Sequence, residues 1–362
     1  MIAGCSASPD SESTDPLAAW TTAVADRSDS PARWVALGDS LTEGQGASTR
    51  SSRWLNLTLD KLRDKYPTEG VQGGAGYVPA MFAVYGPDST WADWATSSTG
   101  SSEADDAVPD LGYRAVSMKA GASRTYSFTG TGIDIWWAQY SGSGTFSYSI
   151  DDSSSKRVDT DGAGSTATVT KVDGLRSGKH TVTITANSAF DLEGFTIYNG
   201  DRNKGITLLD SAHSGATVDL FTQNKSAFLG AMRRAAPDLI TVTLGGNDAK
   251  TLTASELKPR YLKFIRALKA LPSKPSVLII GEYKGGSEVS DEFKSPWSSY
   301  VKVVKAVAEQ TDSAYTSIAD TFPTKASGAR PGISTTDDLH PNDLGQRRIA
   351  KVVLAAIAAD QD

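Results

Sequence analysis

The stretch "WVALGDSLTEGQGA", Trp34–Ala47, decides the fold. It begins with a short apolar run closed by Gly38, the pattern of a strand buried on both faces in a parallel sheet. Downstream, "RWLNLTLDKLRDKY", Arg53–Tyr66, places Trp54, Leu55, Leu57, Leu59 and Leu62 at mostly helical spacing, with Lys and Arg toward its end. Strand, turn and helix in that order open an α/β unit. Ser40 stands in the turn, where a serine is either a nucleophile or the cap of the helix that follows, and this stretch alone does not choose.

The rest of the chain divides around that unit. Residues 1–30 are rich in Ser, Asp, Thr and Ala without a sustained period and read as a linker. From about 70 to 204 the chain is crowded with Gly, Ser and Thr and shows short alternating segments such as "TFSYSI", "TATVTKV" and "KHTVTIT". Phe146, Tyr148 and Ile150 then share one face, as do Val182 and Ile184, the mark of an antiparallel β-sandwich. The α/β pattern resumes at 205 with "GITLLDSAHSGATV", "DLITVTLGGNDA" and "PSVLIIGEY" as strands, and it closes on the helix "NDLGQRRIAKVVLAAIAAD" with Asn342 as its N-cap. The expected organisation is therefore one discontinuous α/β domain, 31–69 and 205–362, carrying an inserted sandwich, 70–204.

The chain has 362 residues and a formal charge of −6 with no sustained basic stripe, which argues against a nucleic-acid partner. No run approaches the roughly 20 apolar residues of a spanning helix. The single cysteine, Cys5, excludes an intrachain disulfide and a thiolate metal cluster. "IAGC", Ile2–Cys5, followed by "SASPDSESTDP", resembles a bacterial lipobox and its tether, so Cys5 is expected to be lipidated and to attach the chain to a membrane at the cell surface, the sequence starting inside its signal. The acidic clusters "EADDAVPD" and "DDSSS" lack the spaced ligands and Gly of a calcium loop and read as solvated turns.

A serine hydroxyl needs a base, and only His180, His213 and His340 are available. His180 lies in "GKHTVTIT" opposite the apolar face, as a solvated strand residue. Asp337 precedes His340 by three residues in "TTDDLHPNDLG", close enough to orient the ring, and Pro341 holds His340 out of the helix. Asp210 precedes His213 by the same spacing, so spacing does not separate these two.

Four ordered segments do: "GDSL" after the first strand, "SGAT" after the second, "GGND" after the third and "DDLH" before the last helix. All fall at strand C-terminal ends, where an open α/β sheet collects ligands. Over about Arg33–Tyr66 and Gly205–Asp360 the chain resembles the GDSL or SGNH hydrolases. That resemblance implies a three-layer, flavodoxin-like fold with a parallel sheet and no cofactor or metal. It implies Ser40 as nucleophile, His340 as base and Asp337 as its orienting acid, with Asp338 adjacent. It also implies an oxyanion hole from the backbone N–H of Ser40 and Gly215 and the side-chain amide of Asn247; Asp39 reads as a structural residue bonding its own loop. The insertion resembles, more weakly, the jelly-roll modules of carbohydrate esterases, through its short strands and "GLRSGKHTVTI".

The insertion also holds Trp91, Trp94, Trp136, Trp137, Tyr140 and Tyr148. Aromatic faces stack on sugar rings; Tyr148 and one of Trp136 and Trp137 are expected in the core, and Trp91 and Trp94 as a lid or subsite wall beside Ser40. The expected function is a serine esterase removing a small acyl group, acetyl foremost, from a cell-envelope carbohydrate or glycolipid. Its rivals are a lipid esterase, thioesterase or acyltransferase of the same fold, and a glycan-binding surface protein.

Overall fold

The computed structural model describes residues 15–81, 94–163, 165–285, 291–322, 337 and 339–358. Cys5, Trp91 and Asp338 lie outside them. Strand β1 (Ala32–Gly38) is buried almost throughout. Its side chains alternate between two cores: Val35 and Leu37 enter one, Trp34 and Ala36 the other. This is why the segment reads as a continuous apolar run rather than an alternation.

A short helix, α2 (Ser40–Glu43), and helix α3 (Trp54–Lys65) follow, after a preceding α1 (Ala18–Ala25). The strands of the middle segment are β2 (Val71–Pro79), β3 (Ala95–Thr99), β4 (Ser102–Asp105), β5 (Ala115–Met118), β6 (Ser123–Gly130) and β7 (Gly132–Gln139). They continue with β8 (Thr145–Ile150), β9 (Lys156–Asp159), β10 (Ser165–Val172), β11 (Gly178–Ala186) and β12 (Phe190–Gly200). The α/β pattern then resumes with β13 (Ile206–Ala212), α4 (Leu220–Gln223), α5 (Lys225–Ala235), β14 (Leu239–Thr243) and α6 (Ala254–Lys269). It ends with β15 (Ser276–Gly281), α7 (Trp297–Gln310), β16 (Ala314–Ser317) and α8 (Asp343–Ile357).

The parallel strands lie in the order β13-β1-β14-β15-β16, which is second, first, third, fourth, fifth in chain order and hence the flavodoxin-like arrangement. Helices α1, α3 and α8 cover one face, α5, α6 and α7 the other. The middle segment forms a second, five-stranded antiparallel sheet, β3-β6-β11-β8-β9. It packs through Phe146, Tyr148, Ile150, Val182 and Ile184, the residues whose alternation marked it as a sandwich.

Two features differ from the sequence reading. The sandwich is not a separable insert: β2 pairs in parallel with β13 on one side and antiparallel with β12 on the other, so its first layer continues the hydrolase sheet. The sequence "VQGGAGYVP" conceals this strand, because a side chain at Gly76, where φ is 67°, would fall 2.1 Å from the Leu208 carbonyl oxygen. The neighbouring backbone claims the space that gives an ordinary strand its apolar pattern. Second, the linker expected over 1–30 contains α1, whose Trp20 is buried and donates from Nε1 to the Ile357 carbonyl at 2.8 Å. An eight-residue helix offers too few turns for a period to register.

Candidate active site

The GDSL, SGAT and GGND loops follow β1, β13 and β14, side by side in the sheet, and β1 and β14 flank the point where strand order reverses. Asp39, not Ser40, is the N-cap of α2: its Oδ1 accepts the Leu41 N–H at 2.9 Å. Ser40 is thereby left with its hydroxyl uncommitted to the helix. That hydroxyl lies 2.8 Å from His340 Nε2. His340 Nδ1 lies 2.5 Å from Asp337 Oδ2, while Asp337 Oδ1 accepts the backbone N–H of His340 at 2.9 Å and of Leu339 at 3.0 Å. With the carboxylate accepting the Nδ1–H hydrogen bond, Nε2 presents a lone pair to the serine.

The support around these residues is extensive. Asn342 caps α8, its Oδ1 accepting from the N–H of Leu344 at 3.0 Å and Gly345 at 3.2 Å. Gln346 is fully buried; it accepts the Trp54 N–H at 3.0 Å and donates to the Pro341 carbonyl at 3.2 Å, tying the histidine loop to the start of α3. The Tyr283 hydroxyl donates to the Leu339 carbonyl.

Asn247 links the three loops, its Nδ2 donating to Asp39 Oδ2 at 3.2 Å and to the Ala216 carbonyl at 3.1 Å. Among the described residues the backbone N–H groups of Ser40 and Gly215 have no partner. Gly215 holds φ at 78°, a conformation glycine adopts without strain, and nothing lies within 4 Å of where a side chain would begin. Backbone conformation rather than crowding therefore asks for glycine here.

A buried ionic network holds these loops. Arg114, at the edge of β5, donates to Glu43 Oε1 at 3.0 Å and to Asp210 Oδ1 at 2.8 Å, and Arg53 donates to Asp210 Oδ2 at 2.6 Å. Glu43 Oε2 accepts the Ser214 N–H at 2.8 Å, fixing the residue before Gly215. The Asp210 carboxyl is held well below the ordinary carboxylate range: burial opposes its charge, and Arg114, Arg53 and Arg50 overcome it. Two other acids move the opposite way. Burial, with Asp248 and Glu43 nearby, pushes Asp39 up to about 7, and burial, with Asp219 nearby, pushes Asp248 up to about 7. Asp39, Ser40, Asn247, Glu282, Phe293 and Trp297 border a small cavity of about 30 Å3. That is room for one or two waters, or a group of that size.

The other sequence candidates lie elsewhere. His213 Nδ1 is 2.9 Å from the Gly112 carbonyl, and its backbone N–H donates to Gly38 O at 2.9 Å, so it borders the site without facing Ser40. His180 is not simply solvated: its Nδ1 lies 2.7 Å from Asp151 Oδ2 and its Nε2 2.7 Å from the Arg176 carbonyl. Both Trp136 and Trp137 are buried, in two different cores, and Tyr148 is buried as expected. Trp94 is not a wall of the Ser40 cavity among the described residues. Its Nε1 donates to the Pro79 carbonyl at 2.8 Å, and its ring packs on Tyr126 and Phe195 in the sandwich. Arg53, Arg114 and Glu43 were not singled out by sequence; Asp210 was weighed there as an orienting acid for His213, but it pairs with Arg53 and Arg114 while His213 Nδ1 meets the Gly112 carbonyl.

Family models match two stretches, the GDSL-like Lipase/Acylhydrolase family over residues 196–348 and the Carbohydrate esterase 2 N-terminal region over residues 111–210. Over residues 196–348 the chain is similar to the GDSL-like lipase/acylhydrolase family. It combines that family's α/β fold with a carbohydrate esterase 2 N-terminal sandwich, and Ser40 lies outside both matched stretches. Among solved structures the chain is similar to one of a peptidoglycan O-acetylesterase, at 17% identity and a TM-score of 0.71 over 96% of each chain. A family two carbohydrate esterase from Cellvibrio japonicus aligns at 13% identity and a TM-score of 0.33, over 72% of this chain and 97% of that one. At such identities the first likeness is one of fold. No curated protein matches the sequence.

Proposed function

We propose that this chain is a serine esterase that removes an acetyl group from a cell-envelope carbohydrate, with Ser40 as nucleophile, His340 as base and Asp337 as the acid that orients it. The observation that carries the reading is His340 Nε2 at 2.8 Å from the Ser40 hydroxyl with Asp337 on its far nitrogen. Ser40 Oγ attacks the ester carbonyl as its proton passes to Nε2. The tetrahedral oxyanion receives the N–H of Ser40 and Gly215 and one N–H of the Asn247 amide, which gives up its bond to Asp39 or to the Ala216 carbonyl to do so. His340 then returns the proton to the leaving sugar oxygen, and a water deprotonated by the same nitrogen releases acetate and restores the serine.

A short acyl group is favoured by the 30 Å3 cavity beside Ser40. A carbohydrate is favoured by the esterase-type sandwich and by the fold shared with a peptidoglycan O-acetylesterase over nearly the whole chain. Lipidation of Cys5 would hold the enzyme at the bacterial surface, beside such substrates. Acetate release from O-acetylated peptidoglycan and xylan, measured alongside nitrophenyl esters of graded chain length, tests the reading. Acetate release by the wild type and none by Ser40→Ala is expected; a preference for long acyl chains overturns the acetyl assignment. Intact mass of the native protein tests the anchor, and an unmodified Cys5 contradicts it.

A further inference from the structure

A second cavity, of about 250 Å3, lies at the far end of the sheet from Ser40. Arg33 and Thr207, neighbours at the start of β1 and β13, form its floor. Ser40 lies beyond the other end of β1, about 20 Å away at the rise of an extended strand. The hydrolase sheet, its continuation into the sandwich and α5 all contribute walls, so neither half of the molecule makes this cavity alone.

Its lining is unusual for a chain of formal charge −6. Arg33, Lys171, Arg202 and Arg234 surround it against a single carboxylate, Asp134. Asp134 is already taken: it pairs with Arg202 and accepts the Tyr198 hydroxyl at 3.1 Å. Arg202 is also the partner of Asp173 and lies 4.5 Å over the Tyr198 ring. Among the described residues Arg33, Lys171 and Arg234 make no close ion pair; Asp238, Asp134 and Glu193 act on them only at longer range. Asp238, which accepts the Arg33 backbone N–H at 2.8 Å, is not part of the lining. The Arg234 Nε donates to the Ala167 carbonyl at 3.2 Å, leaving its two terminal nitrogens for another acceptor.

We infer that this cavity is a non-catalytic docking site for a phosphate ester, the anchoring point of a phosphorylated glycan or lipid headgroup. A carboxylate brings one charge and is satisfied by a single guanidinium fork. A phosphate monoester brings about −1.5 to −2 and three acceptor oxygens, which suits several cationic heads converging on one space. The volume lies below the roughly 300–1,000 Å3 of small-molecule sites, so it takes the phosphate and the first group attached to it. Tyr198 supplies the aromatic part of the wall for that group. Docking there would hold an envelope polymer or surface against the protein while the opposite end of the sheet stays open to substrate. The inference does not depend on the esterase reading.

The test is calorimetric titration of the full chain with glucose 6-phosphate, inorganic phosphate and glucuronate, with co-sedimentation on phosphatidylcholine vesicles carrying phosphatidic acid, a phosphate monoester, as a second arm. The Arg33→Ala/Arg234→Ala double variant is titrated in parallel. Saturable binding of the phosphate ester or of the anionic vesicles, weakened about tenfold or more in the double variant, is expected. The far-ultraviolet circular dichroism and thermal unfolding midpoint of that variant should match those of the wild type, which shows that it folds. Soluble ester binding identifies the glycan source, and vesicle binding alone the lipid source. Binding of neither, equal binding by the double variant, or glucuronate bound as tightly as the phosphate ester overturns the assignment.

Discussion

Two aspartate–histidine pairs occur among the described residues, one at the sheet edge and one on the sandwich, and what sets them apart chemically is what the second ring nitrogen meets. In both, Nδ1 faces a half-exposed carboxylate, at 2.5 Å for His340 and Asp337 and 2.7 Å for His180 and Asp151. The Nε2 of His180 faces a backbone carbonyl, an acceptor that asks for a proton on the ring. Its pKa is accordingly raised, first by the bond to Asp151 and then by the Arg176 carbonyl. The Nε2 of His340 faces a hydroxyl, which can donate to a ring lone pair. An aspartate behind a histidine is thus common to a structural ion pair and a candidate general base; the partner on the other nitrogen separates them.

The comparison breaks most plainly under substitution of the two histidines. His340→Ala should lower kcat on a chromogenic acetyl ester by about 10^4- to 10^6-fold. His180→Ala should leave it within about twofold, as a surface change does. Similar losses from both would erase the distinction.

Replacing the two acids sharpens it. Asp337→Asn is expected to cost about 10^3- to 10^4-fold in kcat, because the amide lets His340 take the wrong tautomer. Asp151→Asn should spare kcat and lower the His180 pKa, read by NMR titration of the ring protons. The sign follows from removing an anion that favours the charged ring.

The proposed oxyanion donors lie on the His340 side. Asn247→Ala should reduce kcat by about 10^2- to 10^3-fold with a smaller change in KM, since the bond it makes strengthens only as charge develops on the ester oxygen. Equal changes in kcat and KM would make Asn247 a ground-state contact instead.

The smallest effect on the chemistry, though a large one on stability, concerns Arg114. Arg114→Ala leaves Glu43 and Asp210 buried with part of their compensation gone, which should destabilise the fold by about 3–5 kcal/mol in denaturant unfolding. The same change at Arg157, an exposed residue of β9, should be nearly silent.

How much of this was legible in the sequence follows from how local each signal is. The first strand, the cap at Asn342 and the Asp337–His340 spacing are written in contiguous residues, and the order of the four segments brought Ser40 and His340 together across 300 positions. The strand "VQGGAGYVP" was not legible, because its glycines answer to the backbone of the two strands beside it. Nor was the Arg53–Asp210–Arg114–Glu43 network, whose members come from four separate elements and carry no spacing. Trp136 and Trp137 alternate across one strand into different cores, so neither face of that strand was a free surface for sugar.

The central claim is that Ser40 is acylated through His340. Its most direct test is reaction of the wild-type chain with diethyl p-nitrophenyl phosphate, followed by peptide mapping. A single phosphoryl adduct on Ser40, formed in step with loss of esterase activity and absent from His340→Ala, is predicted. An adduct on another residue, or full activity in protein whose Ser40 is modified, would contradict the account.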